Sequence, residues 1–141
     1  MKEDIYEMNE FLKGLYMGIH TYEYYIQHCE DTAVKKTLQD IQKEHKLSSI
    51  QVAEHIQNLG GVPATDEGTF VSLMGKIHRL TTGPTNTEDI IKDAMKNEQK
   101  YAVHVAGDNI KGDISEEQKR LIDQIFERNS KHVETLKQLL H

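Results

Sequence analysis

Cysteine, proline and tryptophan are nearly missing from this chain. Cys29 is the one cysteine among 141 residues, so no intramolecular disulfide can form, and a reducing compartment is implied. Two prolines and no tryptophan, beside abundant Lys, Glu, Gln and Leu, favour helix from end to end. No apolar run approaches the roughly 18 residues that a membrane-spanning helix needs. No signal-peptide core follows Met1–Asp4 either, which points to a cytoplasmic protein with no membrane partner. Basic blocks are absent too: 17 basic against 23 acidic residues leave a net charge of −6, spread along the chain. That distribution argues against phosphate-driven binding of nucleic acid. The length suits a single domain over residues 1–141, large enough for a hydrophobic core.

What the chain does have is periodicity. Ile5, Met8, Leu12, Leu15, Ile19, Tyr22, Ile26 and Cys29 alternate by threes and fours, predicting a first helix over about Asp4–Glu30 with a bundle seam. Gly18 sits beside that seam and lets a neighbour approach, at a helix-propensity cost of about 1 kcal/mol. His20 and Glu23 flank the seam and read as solvated. Tyr24 and Tyr25 are expected to point outward and mark a helix–helix dimer surface. Cys29, on the seam, reads as a small core residue.

Asp31 or Thr32 recaps the chain, and the short connection sends the second helix back antiparallel. Its seam runs Val34, Leu38, Ile41, His45, Ser48, Val52, His55 and Leu59. The run Leu59, Gly60, Gly61, Val62, Pro63 then stops it. Residues 60–86 are too many for a plain loop. Phe70, Leu73, Met74, Ile77 and Leu80 recur at helical spacing, so a short amphipathic helix is expected near 67–80, carried on a crossover; His78 lies at its side. Such a crossover lets the third helix run parallel to the second. The third helix is capped by Asn86 or Thr87, and its stripe runs Ile91, Met95 (or Ala94), Glu98, Ala102 (or Tyr101) and Val105. Gly107 and Gly112 loosen its end. Ser115 to Gln118 matches a capping box. The fourth helix buries Ile122, Ile125, Asn129, His132, Leu136 and Leu139.

Three of the four seams turn polar at mid-length. His45, Ser48, Glu98, Asn129 and His132 are expected at similar depth, in a layer that must satisfy its own polar atoms. An unpaired buried polar group costs about 1–3 kcal/mol. An i, i+3 spacing aims two side chains of one helix at a common centre, the device by which bundles build metal sites. His28, His55, His104 and His141 share no face with a ligand partner. No phosphate loop, nucleophile–base pair or paired acids point to a hydrolase.

The helix order, the long crossover and the Asn58–Pro63 stop resemble the ferritin-like superfamily. Leu59–Pro63, Gly75–His78, Asn97 with Glu98, and His132–Leu136 are most similar to a bacterial family of ferritin-like proteins known as a domain of unknown function. The resemblance implies an all-α, ferritin-like four-helix bundle with a short extra helix on the crossover between the second and third helices. It also implies a di-iron pattern, which this chain matches poorly. The first-helix glutamate falls near Gly18, Glu-x-x-His becomes His45 with Ser48 in the second helix and Asn129 with His132 in the fourth, and only Glu98 and His132 keep the expected type. A di-iron centre draws on four carboxylates, and this layer supplies one.

Two expectations follow, with a third that fits least. One is a non-enzymatic bundle with a degenerate centre, acting by binding or as a homo-oligomer, its layer a metal-free hydrogen-bonded network. The other is a mononuclear zinc or iron site formed by His45, Glu98 and His132, with Ser48 and Asn129 as hydrogen-bond partners behind them. Iron storage with DNA protection fits the acidity and the missing carboxylates worst.

Overall fold

A computed structural model of the chain describes residues 2–66, 83–108 and 115–140, with residues 101–108 by their backbone alone. Among these residues there are four helices: α1 Lys2–His28, α2 Thr32–Asn58, α3 Thr87–Asp108 and α4 Glu116–Gln138. No strand occurs among the described residues. The short helix expected near 67–80, with His78, lies outside them, as do Gly112 and His141.

The caps follow the local chemistry. Asp31 is extended and its carboxylate accepts from the Val34 amide at 2.9 Å, satisfying a donor that the helix start leaves free. Asn86 accepts from the Asp89 amide at 2.9 Å, and Ser115 from the Gln118 amide at 3.1 Å. At the end of α2, Gly60 takes a φ of 86°, where an L side chain would be strained. Gly60 N–H then donates to the Gln57 carbonyl at 3.0 Å and Gly61 N–H to that of Ile56 at 2.9 Å, the pair of bonds that defines a Schellman stop. The chain beyond is clamped to α1. Asn9 bridges the Val62 carbonyl and the Ala64 amide, and the Tyr16 hydroxyl donates to the Ala64 carbonyl at 3.1 Å.

Two apolar clusters fix the helix directions. One joins Tyr22, Tyr25 and Ile26 of α1 to Val34, Leu38 and Ile41 of α2, Ile90, Ile91 and Ala94 of α3, and Leu136 of α4. The other joins Met8, Phe11, Leu12 and Leu15 to Val52, Ile56, Ile122 and Ile125. The C-terminal half of α1 therefore meets the start of both α2 and α3, so these two run parallel to each other and antiparallel to α1 and α4. Helix α1 packs against α2 and α3, and α4 packs against the same two, which places α2 and α3 across a diagonal.

One surface expectation is corrected. Tyr25 is fully buried; its hydroxyl donates to Asp93 Oδ2 and accepts from Asn97 Nδ2 at 2.7 Å. Tyr24 is partly buried against the same cluster and stacks on His28 at 4.1 Å between ring centroids. The pair packs inward because α3 supplies polar partners for the Tyr25 hydroxyl, which a buried phenol requires. Tyr24 and Tyr25 together are therefore no outward-facing dimer patch. Cys29 is buried in that cluster as expected. In α3 the apolar face comes from Ile90, Ile91 and Ala94, with Met95 at its edge.

Candidate metal centre

The polar layer lies between the two clusters. His45, Glu98 and His132 come from α2, α3 and α4, all buried, and each offers a ligating atom within 4.8 Å of the other two. The nearest pair is His45 Nε2 and Glu98 Oε1 at 2.6 Å. Glu98 Oε1 also accepts from the Tyr22 hydroxyl at 2.7 Å. Across the layer, His132 Nε2 meets Glu44 Oε1 at 3.0 Å, and His132 Nδ1 stands 3.5 Å from Glu98 Oε1. The two imidazoles pack edge to face, with centroids 5.0 Å apart.

Burial alone would raise the Glu98 pKa, but the charges of His45 and His132 beside it and the hydrogen bond with His45 outweigh it and bring it down to about 2. Glu98 is a carboxylate at any ordinary pH. Burial disfavours the charged form of His132, yet Glu98 and Glu44 prevail and raise its pKa above the usual imidazole value. Burial, then the charge and hydrogen bond of Glu98, push the Tyr22 phenol well above its ordinary range, so Tyr22 remains a neutral donor.

Three atoms of this cluster, Glu98 Oε2, His45 Nδ1 and His132 Nδ1, are buried without a hydrogen-bond partner. For His132 the geometry is telling. With its Nε2 proton directed at Glu44, a neutral ring turns the lone pair of Nδ1 toward a carboxylate oxygen 3.5 Å away. Two acceptors face each other favourably only when a proton or a cation lies between them.

The remaining expected members take other places. Ser48 is buried and its Oγ accepts from Arg128 Nη1 at 3.1 Å; Arg128 also donates to Gln51 Oε1 at 2.6 Å. Asn129 is buried with both amide atoms unpartnered. Neither hydrogen-bonds to the three central residues. His55 is buried and meets Gln118 Oε1 at 3.0 Å, a structural pairing away from the layer. The side chain of Gln118, at the capping-box position of α4, thus reaches across to α2. Periodicity missed Tyr22 as a polar participant, although a phenol on the seam at that depth was itself a sign that its hydroxyl had a buried partner. Glu44 gave no signal, being off the seam and half exposed.

A di-iron centre does not fit these residues. Glu98 is the one buried carboxylate among the described residues of the layer, with Glu44 at its rim. Gly18, near which the resemblance would put a first-helix glutamate, leaves open space: a Cβ built there meets nothing within 4 Å. Two imidazoles and one carboxylate suit a single ion instead.

No curated protein and no solved structure matches the chain. A family model does match, over residues 3–110. It takes in Tyr22, His45 and Glu98 and ends before α4, which contributes His132. With most of its length so matched, the chain belongs to the family described as Domain of unknown function (DUF2383).

Proposed function

We propose that this protein is a ferritin-like bundle whose polar layer binds one divalent metal ion, zinc or iron, through His45, Glu98 and His132. The observation that carries this reading is the convergence of three buried donors within 4.8 Å, each retaining an unpartnered polar atom. Orphaned atoms of this kind cost about 1–3 kcal/mol apiece in a dry interior, and a cation held among the three side chains would relieve those it touches. The parallel, diagonal placement of α2 and α3 supports the ferritin-like part, since one-crossover bundles have that order.

A bound ion would supply a Lewis acid with open coordination positions. The chain's own residues prepare for it. Glu44 holds His132 through Nε2 and directs Nδ1 inward. Tyr22 anchors Glu98 through Oε1. Such outer hydrogen bonds fix ligand orientation and raise ligand basicity. The protein acts by binding; no catalysis is assigned to it. The same reading takes residues 1–141 as one domain and the protein as a homo-oligomer, for which exposed Leu47 and Ile50 on α2 offer a contact.

A second reading, a metal-free network that fixes helix register, draws on the short His45–Glu98 and Tyr22–Glu98 hydrogen bonds. Elemental analysis of protein purified without chelators or a histidine tag separates the two. About one zinc or iron per chain, lost in Glu98→Ala, is the expected outcome for a mononuclear site. Folded protein that carries no metal and cannot be loaded would overturn the metal reading in favour of the network.

A further inference from the structure

Among the described residues, two sides of the layer differ in character. On the α2–α4 side, His132 leads to the half-exposed carboxylate of Glu44. On the α1 side lies a cleft of about 40 Å³. Gly14, Leu15 and Gly18 form its walls, and Tyr22, His45 and Glu98 bound it on the side of the layer. The cleft exists because α1 carries no side chain at Gly18, where an added Cβ would stand in open space. Its surface is almost wholly apolar. Yet Glu98 and His45, 3% and 4% exposed, each keep an unpartnered polar atom.

We propose that this cleft binds a small neutral molecule with an apolar body and one polar end, seated at Gly14 and Gly18 with that end toward Glu98 and His45. Size comes first: about 10–15 Å³ of such space suffices for one water, so the cleft admits a guest of only a few heavy atoms. Charge comes next. The Glu98 carboxylate repels anions, His45 and His132 already face that carboxylate, and the apolar walls give an organic cation no further partner. What remains is a neutral guest able to donate a hydrogen bond to a carboxylate oxygen or to an imidazole nitrogen. That such a guest would approach an open position on the metal rests on the reading above. The capacity of the cleft to hold it does not.

The test therefore uses metal-free protein and two probes, xenon and methanol, followed through backbone amide resonances. Xenon reports apolar cavities, and methanol adds the polar end. Both should shift the Gly14 and Gly18 amides of the wild type, and neither should shift the Gly14 amide of Gly18→Leu, whose side chain fills the cleft. Gly18→Ala, which meets no neighbour, should fold without difficulty and show a weakened response. An unchanged response in both variants, or none in the wild type, would overturn the proposal. Xenon binding without methanol binding would overturn the polar-ended guest. A negative elemental analysis leaves this result standing, so the two readings fail separately.

Discussion

Glu98 is the residue on which the layer turns, because it accepts from α1 and α2 and faces α4. Removing one partner of a buried, hydrogen-bonded charge cluster costs about 3–5 kcal/mol. Glu98→Ala should therefore lower the denaturation free energy of metal-free protein by that order in urea titrations, besides abolishing metal content. Tyr22→Phe removes only a neutral donor to a charged acceptor, for about 1.5–3 kcal/mol, and should leave one metal per chain. Loss of the metal in Tyr22→Phe would make the phenol a ligand rather than an anchor. His132→Ala should lose the metal; full occupancy in that variant would remove His132 from the site.

The same residues set opposite pH slopes with and without metal. Glu98 falls from 4.5 to about 2 on folding, so its stabilisation is complete above pH 4.5 and lost as pH falls toward 2. His132 rises above 6.5, so its contribution is present below pH 6.5 and lost as pH climbs through the folded value. Metal-free protein should accordingly be most stable between these limits. A metal needs the His132 proton gone, so added zinc should stabilise increasingly as pH rises through that value. Thermal melts at several pH values, with and without zinc, check both signs; parallel profiles would mean that zinc does not compete with the proton on His132.

At the scale of the element, two glycines one helix apart should respond oppositely to the same change. Gly60→Ala places a side chain at a φ of 86°, which costs about 1–2 kcal/mol. Gly18→Ala adds a methyl to open space inside a helix and should stabilise by about 1 kcal/mol. Paired chemical melts test this, and equal signs would contradict the backbone argument. Most of the helical frame was legible because its signals are local: Asp31, Asn86 and Ser115 act as caps, and Gly60 stops α2 in the conformation its neighbours imply. The seams of α1, α2 and α4 follow simple alternation, and their polar interruptions pointed to the layer. What stayed hidden depends on neighbours. Tyr25 turned inward because Asp93 and Asn97 of α3 receive its hydroxyl, a pairing more than sixty residues apart in sequence. Arg128 and Glu44 reach the layer from its rim, and no periodicity marks a long side chain that enters sideways.

At the scale of the molecule, the homo-oligomer proposed here is read directly by light scattering. The chain weighs 16.2 kDa, so a multiple of that mass is expected, with Ile50→Lys, at a residue 62% exposed, shifting it toward the monomer without loss of helicity. A mass of 16.2 kDa at high concentration would dismiss the assembly. The two apolar clusters lead elsewhere. Each draws on distant stretches of chain, and α1, α2 and α4 contribute to both. Cutting the backbone between α2 and α3 would leave two hairpins, each holding part of both clusters and part of the layer: His45 and Tyr22 on one, Glu98 and His132 on the other. Such fragments would not be an upper and a lower domain. They would be mutual templates, each lacking what the other supplies, and their reassociation when mixed would restore the polar layer and the core in a single event.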